Sequence, residues 1–323
     1  MDPSDRISNR LKVSDLRLLS AVVQSGGMAK AAAQLNISQP AVSKAIAALE
    51  HTLGVRLLDR NSRGVEPTPY GRALLTRGTV IFDELRQGVN DIKFLSDPTA
   101  GEVRIGATAA ALETWLPVLI HRFSQQYPRV VLHLDSIPRD APYASGLWDR
   151  KYDLVVTWSS THLANDPIVE NLRVEPLFGD RWSIAAGSHT RWAHRRRIDL
   201  AELVGEPWIL PVPNSWNYST LVEACKLRGI NPPKASIVTS APALRLYLIA
   251  NGPYITSTPI SSIWLSPNRQ SLKVLSVDLP VRQYTLTVLA LKNRTLSPAV
   301  ERFIECAREV AKSVVIPSRS RKA

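Results

Sequence analysis

Within the seven residues from Ser38 to Lys44 the chain carries an amide, two hydroxyls and an ammonium group, as Gln39, Ser38, Ser43 and Lys44, with Pro40 among them. Short polar and cationic groups of this kind exchange hydrogen bonds with base edges and meet phosphate, provided one helix face presents them together. Farther on, Arg60 and Arg63 bracket Asn61-Ser62, and guanidinium groups on a turn suit backbone phosphate. Catalysis would need a convergent set of reactive groups, and none stands at recognisable spacing. His189 and His194 are five apart, which does not make an i,i+4 metal pair, and there is no Gly-rich phosphate loop, no Gly-x-Ser-x-Gly elbow and no Cys-His signature. Neither an enzyme nor a bound cofactor or metal is expected.

The elements that must hold these groups follow from local signals. Ser38 is an N-cap, its hydroxyl able to accept from a free backbone N–H, and Pro40 falls in the first turn, where a missing N–H costs little. Val42, Ile46 and Leu49 then recur at helical spacing as one buried stripe, which puts Gln39, Pro40, Ser43, Lys44 and Ala47 on the opposite face. Taken alone, this is better read as an ordinary amphipathic helix with a solvated face. What precedes it favours DNA reading: Ala29 and Ala31 to Ala33 form a small-residue helix that packs closely, and Asn36-Ile37 is a tight turn. Leu16, Leu19 and Val23 supply an earlier helix ending at Gly26-Gly27. Leu53-Gly54-Val55 closes the reading helix, and Arg56 to Thr68 alternates around Asn61-Ser62-Arg63-Gly64 as a hairpin or wing.

The run Ala31-Ala32-x-x-Leu35-x-x-Ser38-Gln39-Pro40-Ala41-Val42-Ser43-x-x-Ile46-x-x-Leu49-Glu50-x-x-Leu53-Gly54-Val55-x-Leu57-x-x-Arg60, with Arg63-Gly64 and Thr68-x-x-Gly71 after it, resembles the LysR-type transcriptional regulators. Gly27, Leu58 and Pro67 depart from the usual pattern at positions off the reading face. The resemblance implies an α/β protein with an N-terminal all-α winged helix-turn-helix, a linker helix, and a two-lobed effector domain of the type 2 periplasmic-binding-protein kind. Arg63 to Gly71 is also similar to a subfamily that includes regulators of sugar-binding-protein expression.

A chain of 323 residues suits two or three domains. Of its net charge of +12, only +3 lies in residues 1–100, so the motif locates the DNA site better than overall basicity does. Cys225 and Cys306 are far apart and suggest free thiols rather than a disulfide framework. Arg6, Arg10, Lys12, Asp15 and Arg17 interrupt the N-terminus, which lacks the apolar core of an export signal, so a cytoplasmic protein is expected. The uncharged stretch Leu246 to Asn268 holds Asn251, Pro253, Pro259 and Pro267 and reads as buried strand and loop rather than a membrane span.

Residues 1–68 are thus read as the DNA-binding domain and 69–96 as a linker helix capped by Thr68. Leu74, Ile81, Leu85, Ile92 and Leu95 follow a heptad seam that pairs with a second copy or, alternatively, packs on its own domain. Ser96 to Gly101 is a hinge. Alternating strands and helices then fill an effector domain over 101–316, with one lobe at about 101–165 and 275–316, the other at about 170–272, and a basic tail at 317–323. Leu272 to Val277 is read as the return to the first lobe. The motifs Gly101 to Gly106, Leu116-Pro117, Tyr127-Pro128, Tyr152-Asp153-Leu154, Arg195 to Arg197 and Glu206 to Ile209 are similar to the family's effector domain, the arginine run being a solvated surface segment.

Ligands of such folds bind where strands end and helices begin. Here those positions are Thr108, Ala109 and Ala110; Thr157, Trp158 and Ser159; Asn214, Ser215, Trp216 and Asn217; and Ser240. Trp158 and Trp216 are either flat walls for a sugar or aromatic acid or parts of a lobe core. The partners expected are double-stranded promoter DNA, a small effector (a sugar, an aromatic or another organic acid), further copies of the chain as dimer and tetramer, and RNA polymerase, with no membrane. A transport component or an architectural DNA binder is the alternative. The reading helix together with the missing export signal disfavours the first, and the long α/β half disfavours the second.

Overall fold

The computed structural model describes residues 10–61, 64–137, 142, 144–160, 167–213, 215–279 and 284–313. The chain divides into two compact units, residues 1–89 and 90–323. In the first, α1 (Val13–Ser25) stops at Gly26, whose φ of 72° is left-handed and free of strain only for glycine. Helix α2 (Met28–Gln34) ends in a Schellman turn: Asn36 takes φ 54°, the Ile37 N–H donates to Ala32 O (3.0 Å) and the Asn36 N–H to Ala33 O (3.3 Å). Helix α3 (Gln39–Leu53) follows at once. Leu18, Leu19, Val22, Ala31, Ala32, Val42, Ile46 and Leu49 share one core. Val23, expected there, is only half-buried, because a period of 3.6 turns Leu18 and Val22 inward beside Leu19.

The wing is β1 (Leu58–Asn61) paired antiparallel with β2 (Gly64–Pro67), in a register that sets Asn61 opposite Gly64. This two-stranded sheet beside the helices is the wing expected from the alternation between Arg56 and Thr68. Thr68 joins the wing to α4 (Pro69–Ser96): its hydroxyl donates to Arg56 O (2.8 Å) and accepts from the Gly71 N–H (3.1 Å). A Cβ on Gly71 would stand 2.1 Å from the carbonyl oxygen of Leu57, so only glycine lets the helix start this close to the strand. Along α4, Leu74 packs on the first unit's core and leaves the expected seam, whereas Ile81, Leu85, Ile92 and Leu95 are exposed together with Val89. Among the described residues no helix is long and apolar enough to cross a membrane.

The second unit holds two five-stranded sheets. One has the order β4-β3-β5-β12-β6, from β3 (Ala100–Ala107), β4 (Arg129–Ser136), β5 (Leu154–Ser160), β6 (Leu172–Asp180) and β12 (Tyr284–Leu291); β3 runs parallel to β4 and β5, and β12 antiparallel to β5 and β6. Between its strands come α5 (Ala109–Thr114), α6 (Leu116–Gln126) and α7 (Ser145–Trp148). The other has the order β11-β7-β10-β8-β9, from β7 (Trp182–Gly187), β8 (Trp208–Leu210), β9 (Ala235–Val238), β10 (Ile255–Pro259) and β11 (Leu272–Val274), with α8 (Leu200–Leu203), α9 (Trp216–Leu227), α10 (Pro242–Asn251) and α11 (Ile260–Trp264). Helix α12 (Pro298–Ser313) packs with α6 on the first sheet, where Phe123 and Phe303 meet edge-on at 5.1 Å.

The crossings between lobes differ from expectation. Residues 172–180 belong to the first sheet through β6, so the chain leaves that lobe after Asp180 rather than near 165. Leu272–Val274 pairs with β7, Leu275 lies in the second lobe's core and Val277 bridges Ile198, so the return comes after Val277. Helices α5 and α6 meet at Trp115, and α9 begins at Trp216.

The Tyr152-Asp153 motif holds the first lobe together. The Tyr152 ring lies where a Cβ on Gly106 or Gly146 would fall, within 2.5 Å. Asp153 accepts from the Arg104 N–H (2.8 Å), from Arg104 Nη2 (2.9 Å) and from Arg294 Nη2 (2.5 Å), and the Arg294 side chain is fully buried. Burial opposes the charge on Asp153, but the Arg104 hydrogen bonds and the charges of Arg104 and Arg294 outweigh it and hold the carboxyl below its ordinary range.

Two outcomes follow from these contacts. Asp153→Asn strands Arg294 without its counter-charge and lowers the second unit's stability by about 3–5 kcal/mol, read from its urea midpoint. Because the folded pKa is depressed, the wild-type stabilisation is complete above about pH 4 and is lost as pH falls through the lower folded value; the variant lacks that acid slope. Gly71→Ala forces the strand and helix apart and costs the first unit about 1–3 kcal/mol in thermal denaturation, and an unchanged midpoint would contradict the close approach.

Candidate functional site

In the first unit the site is built around the N-terminal half of α3. Ser38 takes φ −78° and ψ 147°, and its hydroxyl accepts from the Ala41 N–H at 3.3 Å. Val42, Ile46 and Leu49 are buried at 0%, 1% and 3% exposure, and that burial fixes the rotation of the helix about its axis. Gln39, Pro40, Lys44 and Ala47 are consequently exposed, while Ser43 is half-buried at the edge of the same face. The positive end of the helix dipole lies beside Gln39, where it attracts phosphate.

At its other end α3 holds the wing. The Glu50 carboxylate accepts from the Leu57 N–H (2.7 Å) and the Leu58 N–H (3.1 Å), and the Val65 N–H donates to Gly26 O (3.3 Å). These bonds fix the hairpin to α3 and α1. Arg60 lies on β1 with its side chain outside the described residues, and Arg63 also falls outside them.

In the second unit the sequence-identified positions fall in two groups, one in each lobe. Thr108 follows β3 and Thr157 lies in β5, and the Thr108 N–H donates to Val156 O (3.1 Å), so these two groups adjoin. Thr108 precedes α5 with extended dihedrals, yet its hydroxyl does not cap the helix and is buried without a partner among the described residues. Ala109 and Ala110 are half-buried in the first turn. Thr157 is buried, and its hydroxyl makes only a long contact to Trp158 O (3.5 Å). Trp158 packs edge-on against Phe178 at 5.8 Å in the first lobe's core, which of its two readings is the core one. The side chain of Ser159 lies outside the described residues.

In the second lobe, the Thr239 N–H donates to Leu210 O (3.1 Å), which brings the ends of β8 and β9 together. Ser215 caps α9, accepting from the Tyr218 N–H (3.2 Å) and donating to Val212 O (2.7 Å), so its hydroxyl is occupied. Trp216 and Asn217 are in the helix rather than ahead of it; Asn217 is half-buried, while the Trp216 side chain and Asn214 lie outside the described residues. Ser240 is exposed, and it is the Thr239 hydroxyl that accepts from the Ala241 N–H (3.2 Å) before α10.

Three groups at the junction of the lobes were not found from sequence. Glu113 of α5 reaches across to the Ala243 N–H of α10, at 2.5 Å. Arg245, one turn into α10, is buried. Asp180, where the chain first crosses, is buried and accepts from the N–H groups of Arg181 (2.7 Å) and Ser261 (3.1 Å); burial pushes its carboxyl above the ordinary range despite those bonds. Only an unusual charge density could have flagged them, and single charged residues, two on helices and Asp180 at a strand end, have none. Cys225 and Cys306 are buried free thiols, both pushed up by desolvation, and His189 and His194 are exposed. Among the described residues no three His, Cys, Asp or Glu are placed to hold a metal.

Comparison with known proteins agrees with this geometry at both ends of the chain. Residues 13–72 match the bacterial regulatory helix-turn-helix model of the lysR family, and residues 96–312 match the LysR substrate binding domain. The regulator TdcA of Escherichia coli is 27% identical over 300 residues, covering 92% of this chain and 93% of its own. TfdS of Cupriavidus pinatubonensis is 30% identical over 256 residues, covering 78% and 83%. The crystal structure of CbnR, a LysR family transcriptional regulator, is similar in fold with a TM-score of 0.60 at 21% identity, covering 93% of this chain and 99% of that one. A winged helix-turn-helix followed by a two-lobed substrate-binding domain, matched over both parts, makes this chain a member of the LysR family of DNA-binding transcriptional regulators.

Proposed function

We propose that Gln39, Pro40, Ser43 and Lys44 enter the major groove, with Ser38 fixing the helix end, and that Arg60 and Arg63 hold the adjoining phosphates. The observation that carries this is the rotation of α3: the Val42, Ile46 and Leu49 stripe is buried, and the short polar groups stand opposite it. The protein is read as a cytoplasmic, non-enzymatic regulator whose effector, an organic acid or a sugar, binds between the lobes near Thr108, Ala109, Ala110, Thr157 and Asn217. Closure of the lobes around that molecule biases the arrangement of paired DNA-binding domains. Pairing is assigned to the exposed apolar face of α4, which a charged substitution would spoil on both copies, and a tetramer to contacts between effector domains.

Gel-shift titration on the DNA upstream of the coding region tests the reading face. The Ser43→Ala, Lys44→Ala double variant keeps its fold and loses about 1–3 kcal/mol per missing base contact, whereas Arg63→Ala weakens all sequences alike and flattens the salt dependence. Unchanged affinity in the double variant would remove these residues from the interface. Ile81→Asp, followed by light scattering, tests the seam: dissociation or aggregation is expected, and an unchanged oligomer with full DNA affinity would contradict it.

A further inference from the structure

The free N–H groups at a helix start need acceptors, and in the second lobe α8 and α9 find one in their own N-cap side chains, Asp199 and Ser215. Helices α10 and α11 do not. Their N-cap residues are Ala241 and Pro259, neither of which carries a side-chain acceptor. In both cases a carboxylate of the first lobe takes that place. Glu113 of α5 accepts from the Ala243 N–H of α10 (2.5 Å), and Asp180 at the end of β6 accepts from the Ser261 N–H of α11 (3.1 Å). Both of these helices also pack against α5.

The two carboxylates are held differently. Asp180 is 2% exposed and accepts from the Arg181 N–H as well (2.7 Å), so it is fixed where the chain crosses. Glu113 is exposed on its short helix. Its charge has a second target in Arg245, one turn into α10, which is 3% exposed and whose Nε and Nη1 have no hydrogen-bond partner among the described residues. Burial brings the Arg245 pKa down to about 10, and the charge of Glu113 acts in the opposite sense. Glu113 thus serves two groups of the opposite lobe, the head of α10 by a hydrogen bond and Arg245 by its charge, and moving the lobes apart withdraws both together.

We propose that the first lobe caps the second in trans, with Asp180 as a permanent pivot and Glu113 as a releasable latch that holds the lobes together when no effector is bound. The consequence for DNA rests on the reading that movement between the lobes biases the paired DNA-binding domains. An exposed charged hydrogen bond is exchanged readily for water, whereas a buried carboxylate with two donors is not, so opening begins at Glu113 and turns about Asp180. Withdrawal of Glu113 leaves Arg245 without its counter-charge, which opposes opening and returns the latch.

Hydrogen exchange of the full chain without ligand tests this, resolved at the Ala243 and Ser261 amides in wild type, Glu113→Ala, Arg245→Met and the double variant. In Glu113→Ala the Ala243 amide should exchange about tenfold faster while Ser261 keeps its protection. Arg245→Met removes the charge that Glu113 serves, so the double variant should exchange less than the product of the two single effects. Unchanged exchange at Ala243 in Glu113→Ala, equal acceleration at Ser261, or single effects that multiply would overturn the latch. Footprinting of Glu113→Ala on the upstream DNA reads the consequence, and a changed span of protection without ligand is expected. Faster exchange at Ala243 with an unchanged footprint would support the latch and overturn the reading that lobe movement biases the DNA-binding domains.

Discussion

Several polar groups taken out of water in this chain are matched by partners within a few ångströms, and the structure depends on where those matches fall. Glu50 ties the end of the reading helix to the first two N–H groups of the wing. Thr68 joins the wing to the linker helix with one donated and one accepted bond. Asp153 gathers Arg104 from β3 and Arg294 from beyond β12 into one buried cluster. Each such match is modest in net energy, but breaking one leaves a buried group unsatisfied, so the arrangement resists drift. The reading face of α3 is presented at a fixed angle for this reason.

The same constraint acts between the lobes of the second unit. Asp180 sits at the first crossing with a carboxyl that burial has pushed up, and it is held by the N–H groups of Arg181 and Ser261. That places a matched polar group on the pivot. Glu113 reaches from α5 of one lobe to the Ala243 N–H of α10 in the other, a second matched polar group between them.

Legibility in the sequence followed the range of the interactions. Helix α3 was readable because its Ser38 cap, Pro40 and apolar stripe are all local, and the wing because alternation flanks a turn signal. Strand β6 was not, since Pro176 and Gly179 read as loop residues; both are tolerated because β6 is an edge strand, with an irregular register against β12. The short apolar run Leu272–Val274 suits either sheet, and only its pairing with β7 decides between them. Leu74 matched the heptad spacing but lies near enough to the first unit's core to be absorbed by it. Among the candidate residues, Thr108 was legible from its place after a strand, whereas Arg245 is one more arginine in the sequence until the fold buries it.

The central claim is that this fold delivers two polar helix faces to specific DNA. Nuclease footprinting of the full chain on its own upstream region tests it most directly. The account predicts two protected half-sites about one helical turn apart, or a multiple of that, on one face of the duplex, lost when their bases are scrambled. Protection spread evenly over any sequence, or unaffected by scrambling, would contradict it.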